Sequence, residues 1–331
     1  MKLVCPAGNL PSLKAAVDNG ADAVYIGFRD STNARHFAGL NFTNAQIEKG
    51  LQYARDHQVK VFVAINTYPY PSDFTHWQNA VDRAAGLGVD ALILADIGVM
   101  DYARERWPEL NLHLSVQSSS TSHEAIRFYA EQFGIRRAVI PRVLSLKQVA
   151  TLIEHSTVPI EVFGFGSLCV MVEGRCFLSS YVTGQGPNNF GACSPASFVR
   201  WQETDRGLET RLNGVLIDQV GKGENAGYPT VCKGRFEVMG KTGYAIEAPT
   251  SLNTLPILPE LLRIGAAAIK IEGRQRSPAY VKTVTRIMRE AIDACKADPE
   301  NYTPKQEWMT QLAALSEGLQ TTLGAYERTW Q

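Results

Sequence analysis

One pattern recurs along the chain and limits its folding more than any other: a Gly, a few small or polar residues, then an unbroken apolar run. It reads GADAVYIG at 20–27, GVDALILAD at 88–96, GIRRAVIPR at 134–142 and GAAAIKIEG at 265–273. Gly suits the left-handed position just past a helix C-terminus. Near-continuous Val, Ile and Leu runs suit parallel strands covered on both faces. Each copy therefore reads as the end of a helix followed by a buried strand.

Four further segments have strand length and β-branched content: Leu3–Pro6, Val59–Asn66, Leu112–Gln117 and Pro159–Gly166. Amphipathic stretches separate most of the strands: Leu10–Asn19, Thr43–His57, Asp73–Leu87, Ile97–Arg106, Ser122–Phe133, Ser145–His155 and Thr254–Ile264. In Thr43–His57, Ile47, Leu51 and Ala54 share one helical face. Ser122 and Ser145 stand where N-caps belong. βα units repeated in this order predict an α/β fold, a (β/α)8 TIM-type barrel. A doubly wound open sheet is the rival, because counting strands does not prove closure.

One interval breaks the rhythm. About a hundred residues separate the strand ending near Gly166 from the one starting near Ala268. This stretch is rich in Gly, Pro and Asn, as in TGQGPNNFGACSP and GKGENAGYP, with short β-like pieces at 198–201 and 215–217. It reads as an insertion at the C-terminal end of a barrel strand, where sites of this fold lie. The expected organisation is 1–166 for the first seven strands, 167–252 for the insertion, 253–297 for barrel closure and the last helix, and 298–331 for a polar extension. Tyr280, Val284, Ile287, Met288 and Ala291 give that last helix a barrel-packing face.

The chain has 331 residues and balanced charge, 33 Lys plus Arg against 33 Asp plus Glu. A nucleic-acid binder usually carries a basic excess, and none is visible. The apolar run after Lys2 is broken by Pro6 and Gly8, too short for a signal-peptide core. No segment approaches the roughly 20 apolar residues of a spanning helix. A soluble, cytoplasmic protein is the expectation, and there clustered cysteines point to metal or redox chemistry rather than disulfides.

Four of the six cysteines fall in the insertion: Cys169, Cys176, Cys193 and Cys232, spaced C-x6-C-x16-C-x38-C. No paired CxxC knuckle is present, unlike common zinc ribbons, and the spacing is not the compact ferredoxin run. Soft thiolates select zinc, copper(I) or iron–sulfur clusters, and spacing alone leaves these open. Four protein ligands would close a cluster, which favours electron transfer, redox sensing or support over substrate binding. Cys5, at a strand end, and Cys295, on a helix, read as core.

Strand C-termini should line the barrel mouth. By that rule Asn66, Asp96, Gln117, Arg142 and Glu272 face the site, with Arg274 and Arg276 just beyond. Arg142, Arg274 and Arg276 are candidates to grip a dicarboxylate, since guanidinium pairs bidentately with carboxylate. Glu272 and Asp96 are candidate acid/base groups, the competing reading being a structural ion-pair network. Arg35 and His36 lie on the loop after the second strand, Arg35 as a substrate-binding candidate and His36 as a catalytic one. Tyr181 and Trp201 are candidates to flank a metal centre or an aromatic ring, but the stronger reading for each is core of the insertion. HExxH and GxSxG are both absent, so the residues do not suggest proteolysis.

The chain resembles the collagenase-like, unclassified-peptidase family, and within it the ubiquinone-biosynthesis branch. The resemblance is carried by CPAGNLPSLKAAVDNGADAVYIG at 5–27, TNARHFAGLNFT at 32–43, FGFGSLCVMVEGRC at 163–176, GACSPASFVRW at 191–201, ENAGYPTVCKGR at 224–235, KIEGRQRSPAYV at 270–281 and the closing TLGAYERTW. It implies a [4Fe-4S] cluster on Cys169, Cys176, Cys193 and Cys232. It also implies dioxygen-independent hydroxylation of the ubiquinone ring precursor, a UbiV-like sister protein as heterodimer partner, and a lipid-binding accessory protein. Prephenate is implied as a possible oxygen donor. Hydroxylation of RNA bases, as in other branches, and a non-catalytic cluster-bearing scaffold are the alternatives.

Overall fold

In the computed structural model, which describes residues 1–328, the chain folds around a closed parallel barrel. Thr329 and Trp330 of the closing motif lie outside the described residues. Strands β1 (Lys2–Pro6), β2 (Ala23–Gly27), β3 (Lys60–Ile65), β4 (Ala91–Leu94), β5 (Leu112–Leu114), β6 (Ile135–Val139) and β7 (Ile160–Ser167) pair parallel in chain order. The strand Ala268–Ile271 then pairs with both β7 and β1, which closes the ring. Closure excludes the open-sheet alternative, and every strand expected from the sequence is present.

Local chemistry explains the helices between them. These are α1 (Leu10–Asp18), α2 (Asn44–Asp56), α3 (Phe74–Gly86), α4 (Ile97–Arg106), α5 (His123–Phe133) and α6 (Leu146–His155). Thr43 with Gln46 and Ser145 with Gln148 form capping boxes, and Ser122 caps α5. The recurring Gly20, Gly88, Gly134 and Gly265 all take φ between +66° and +93°, the left-handed turn that ends a helix ahead of its strand. The outward faces of the strands, such as Val24, Ile26, Val63, Leu92 and Leu114, meet helix residues in one continuous core. Each such aliphatic side chain contributes roughly 1.5–3 kcal/mol.

The barrel interior is different. Small side chains, Ala23, Ala64, Ala91 and Ala268, pack with Tyr25 and Phe62. Charges stand there too: Glu161 accepts from Lys270 at 2.8 Å and from Arg137 at 3.2 Å. His113 packs edge-on against Phe62 with ring centroids 4.8 Å apart.

Past β7 the insertion begins. Helix α7 (Leu178–Thr183) precedes a three-stranded antiparallel sheet of β8 (Val199–Thr204), β9 (Gly207–Leu212) and β10 (Val215–Val220). A hairpin follows, β11 (Arg235–Val238) with β12 (Lys241–Tyr244). Val199, Leu212 and Ile217 form its small core, with Val182 and Val231 packed on it. The chain returns through β13 (Ser251–Asn253), which runs antiparallel along the end of β7 and straddles the expected domain limit at 252. Helix α8 (Leu258–Arg263), the closing strand β14 (Ala268–Ile271) and helix α9 (Pro278–Ala297) complete the barrel. Tyr280, Val284, Ile287, Met288 and Ala291 are buried on α9, and so is Cys295. The polar extension is folded: α10 (Gln306–Ala314) buries Trp308 and Leu312, and β15 (Thr321–Thr322) pairs with β13. Among the described residues no helix is long and apolar enough to cross a membrane.

Candidate functional site

Two glycines dock the insertion onto the barrel mouth. Gly174, two residues before Cys176, sits so close to the Gln117 carbonyl that a Cβ would lie 2.1 Å from it. Gly191, two residues before Cys193, sits so close to the Ala34 carbonyl that a Cβ would lie 1.4 Å from it. Both have positive φ, which glycine alone adopts without strain. The cysteine-bearing loops are thereby pressed against the loops after β2 and β5.

The result is one cavity of about 970 Å³, lined by Cys169, Cys176, Cys193 and Cys232 together. Cys169 follows β7 directly, and Cys232 sits in a tight turn at Val231–Lys233. Cys193 lies within electrostatic reach of the other three thiols. Burial pushes the Cys169 and Cys232 thiols up to about 12, and it raises Cys193 as well. Cys193 is exposed and lines the cavity, although protein crowds around it. On Cys169 the Glu173 carboxylate acts next after burial, in the same direction, and the Arg142 guanidinium opposes it.

Four soft thiol donors in one cavity are a set that suits zinc, copper(I) or an iron–sulfur cluster. Among the described residues no three His, Cys, Asp or Glu side chains gather tightly enough for one ion. The cavity has room for a four-iron cluster, which these four thiols would hold. Buried thiols raised in this way need a cationic centre to stay deprotonated.

The structure sorts the other predicted residues into two groups. Arg35, Gln117, Arg142, Glu272 and Arg276 line the cavity with the cysteines. Among the described residues Arg35 and Arg276 have no carboxylate partner. The Gln117 Oε1 is buried without a donor, and Glu272 accepts from the Ser167 amide at 3.4 Å. Arg142 has two of its three guanidinium nitrogens engaged: Nε donates to Glu173 at 2.7 Å and Nη1 donates to the Ser167 carbonyl, while the Phe163 ring lies 4.4 Å away. Burial presses Arg142 down, but Glu173, Cys169 and Glu272 together outweigh it and hold the guanidinium above its ordinary value.

The remaining residues serve the scaffold. The Asp96 carboxylate accepts from the Val99 amide and caps α4. Asn66 accepts from the Ala34 amide and donates to Ser115 at 3.3 Å. Arg274 is buried, donates to Asn33 at 3.1 Å, and is lowered to about 10 by burial. It braces the 32–43 loop. His36 Nδ1 meets the Asn33 carbonyl at 2.9 Å, which orders the same loop. None of these four lines the cavity. Tyr181 and Trp201 are not core residues either: they are 93% and 45% exposed, because the small insertion core fills with Val199, Leu212 and Ile217 instead.

Sequence reasoning missed Glu173, Lys233 and Glu317, all lining the cavity. Glu173 lies between the first two cysteines, and Lys233 follows Cys232 directly, so a charge beside each ligand candidate was the available signal. Glu317 had none, because only the tertiary fold brings the extension here.

Fold and site define a (β/α)8 protein whose site is built over the barrel mouth by a cysteine-bearing insertion. The chain belongs to peptidase family U32, whose family model matches residues 8–327. It is 30% identical over 318 residues to the tRNA hydroxylation protein P1 of Bacillus subtilis, covering 94% of this chain and 67% of that protein. An uncharacterized protease of Methanocaldococcus jannaschii is 34% identical over 299 residues, covering 89% of this chain and 65% of that one. A collagenase of Porphyromonas gingivalis is 30% identical over 329 residues, covering 95% of this chain and 70% of that one. The chain thus spans about two thirds of the length of these relatives.

Proposed function

We propose that Cys169, Cys176, Cys193 and Cys232 hold a [4Fe-4S] cluster, and that the protein is a UbiU-like iron–sulfur subunit of a dioxygen-independent hydroxylase in ubiquinone biosynthesis. Its partner in this reading is a UbiV-like protein, with a lipid-binding accessory protein delivering the apolar substrate. The observation that carries the reading is the meeting of four thiols, the Glu272 carboxylate, and two arginines that have no carboxylate partner among the described residues, in one cavity. A relative named for tRNA hydroxylation supports hydroxylation as the chemistry. The TNARHFAGLNF stretch supports the ubiquinone branch.

When bound, the cluster supplies one-electron transfer. The rest falls to the chain's own side chains. Arg35 and Arg276 grip an anionic group, for which the dicarboxylate prephenate is the candidate. Glu272 stands at the mouth as a proton acceptor or donor. Phe37, Met171 and Leu319 give the cavity an apolar wall that excludes water from an aromatic ring.

The second reading is hydroxylation of an RNA base. It is favoured by relatives in Escherichia coli named tRNA hydroxylation protein P and 23S rRNA 5-hydroxycytidine C2501 synthase, the second matched over 39% of its own length. Deleting the gene in cells grown without dioxygen separates the two. Mass spectrometry should show ubiquinone lost and hydroxylated RNA nucleosides intact. Loss of a hydroxylated nucleoside with normal ubiquinone sinks the first reading and supports the second.

A further inference from the structure

We infer that Arg142 and Glu173 form a charge pair that positions the Cys169–Cys176 loop and sets the electron affinity of the centre held there. The second half of this inference rests on the cluster reading above.

A single guanidinium spans the loop. It holds the carbonyl of Ser167, two residues before Cys169, and the carboxylate of Glu173, four residues after it. Both side chains are about nine-tenths enclosed. Phe163 lies against the guanidinium, with the ring centre 4.4 Å away, so most of what holds Arg142 is protein. The loop has further ties at the same place, since Ser119 Oγ donates to the Glu173 carbonyl at 2.8 Å. Breaking the pair should loosen the loop that carries the first two thiols.

The pair is also electrically lopsided. One Glu173 oxygen accepts from Arg142, while the other, Oε2, is buried with no protein donor. Glu173 lines the cavity beside Cys169 and Cys176. Fixed charge in a poorly screened site acts strongly on a nearby centre. Net charge and solvent exposure are among the levers that set an iron–sulfur potential. A carboxylate favours the oxidised centre, and a guanidinium favours the reduced one. The two residues therefore push in opposite directions, and replacing each should shift the potential with opposite sign.

The test uses the full chain purified without dioxygen, as wild type and as Glu173→Gln, Arg142→Gln and Arg142→Lys. Redox titration followed by electron paramagnetic resonance reads the potential. Amide hydrogen exchange over 168–176 reads the positioning. Glu173→Gln should shift the reduced-to-oxidised ratio at the wild-type midpoint about tenfold toward reduced, about 59 mV for a one-electron couple. Arg142→Gln should shift it toward oxidised. Arg142→Lys keeps the charge but not the fork, so its potential should stay near wild type while exchange in the loop accelerates. Equal potentials in all four proteins overturn the electrostatic half, and unchanged exchange in both Arg142 variants overturns the positioning half. A wild-type preparation without iron and sulfide overturns the cluster reading and the electrostatic half with it. The exchange measurement still decides the positioning half in that case.

Discussion

Lys233, the residue after Cys232, is ion-paired with Glu317 of the C-terminal extension, and both side chains are almost enclosed, at 4% and 11% exposed. The extension thereby fastens one cysteine turn to the barrel. Ser316 to Leu319 also form part of the cavity wall, so the extension is part of the site.

Glu317→Ala leaves the Lys233 ammonium buried without its partner. Breaking a buried pair from one side costs roughly 3 kcal/mol. Denaturant unfolding should show a loss of that order. A change near zero would mean that Lys233 finds another partner or water.

Gly191→Ala tests the docking of the insertion. The new Cβ would stand 1.4 Å from the Ala34 carbonyl, at φ +72°. Gly184 is the control, because it has the same φ and nothing within 4 Å of its Cβ. Gly184→Ala should cost about 1 kcal/mol, the left-handed penalty alone. Gly191→Ala should cost at least about 2 kcal/mol more, since backbone must move. Equal costs for the two would contradict the close docking.

His113 makes the barrel sensitive to acid. Burial lowers its pKa from 6.5 to about 3, against an opposing pull from Glu161. Between those values the unfolded chain binds a proton that the folded chain does not. Stability is therefore full above about pH 6.5 and falls as pH drops, by about 2 kcal/mol at pH 5. His113→Leu should flatten that part of the stability–pH curve. A curve with the same slope in the variant would assign the acid sensitivity elsewhere.

The barrel was legible in the sequence because its strands are covered on both faces and so read as unbroken apolar runs between glycines. The cysteine site was legible as a set, though not the residues around it. Asp96 sits at a strand end, where the barrel rule expects chemistry, but the same position begins α4, and its carboxylate is used as a cap. Arg274 follows the closing strand, yet it turns inward to Asn33 and Asn41 rather than toward the cavity. Side-chain direction at such positions is decided by tertiary neighbours that spacing does not encode. Lys270 and Glu161 interrupt apolar runs with charge, and only their meeting across adjacent strands explains why each is tolerated. Tyr181 and Trp201 read as core from their size, but the insertion's core is built on Val199, Leu212 and Ile217 and leaves both exposed.

The most direct test is metal analysis of the full chain purified without dioxygen, with Cys176→Ala and Cys295→Ala beside it. Wild type and Cys295→Ala, whose sulfur is buried on α9 away from the cavity, should each be brown and carry about four irons and four sulfides per chain. Cys176→Ala should lose the chromophore. A colourless wild-type protein, or one carrying zinc without sulfide, would contradict the cluster.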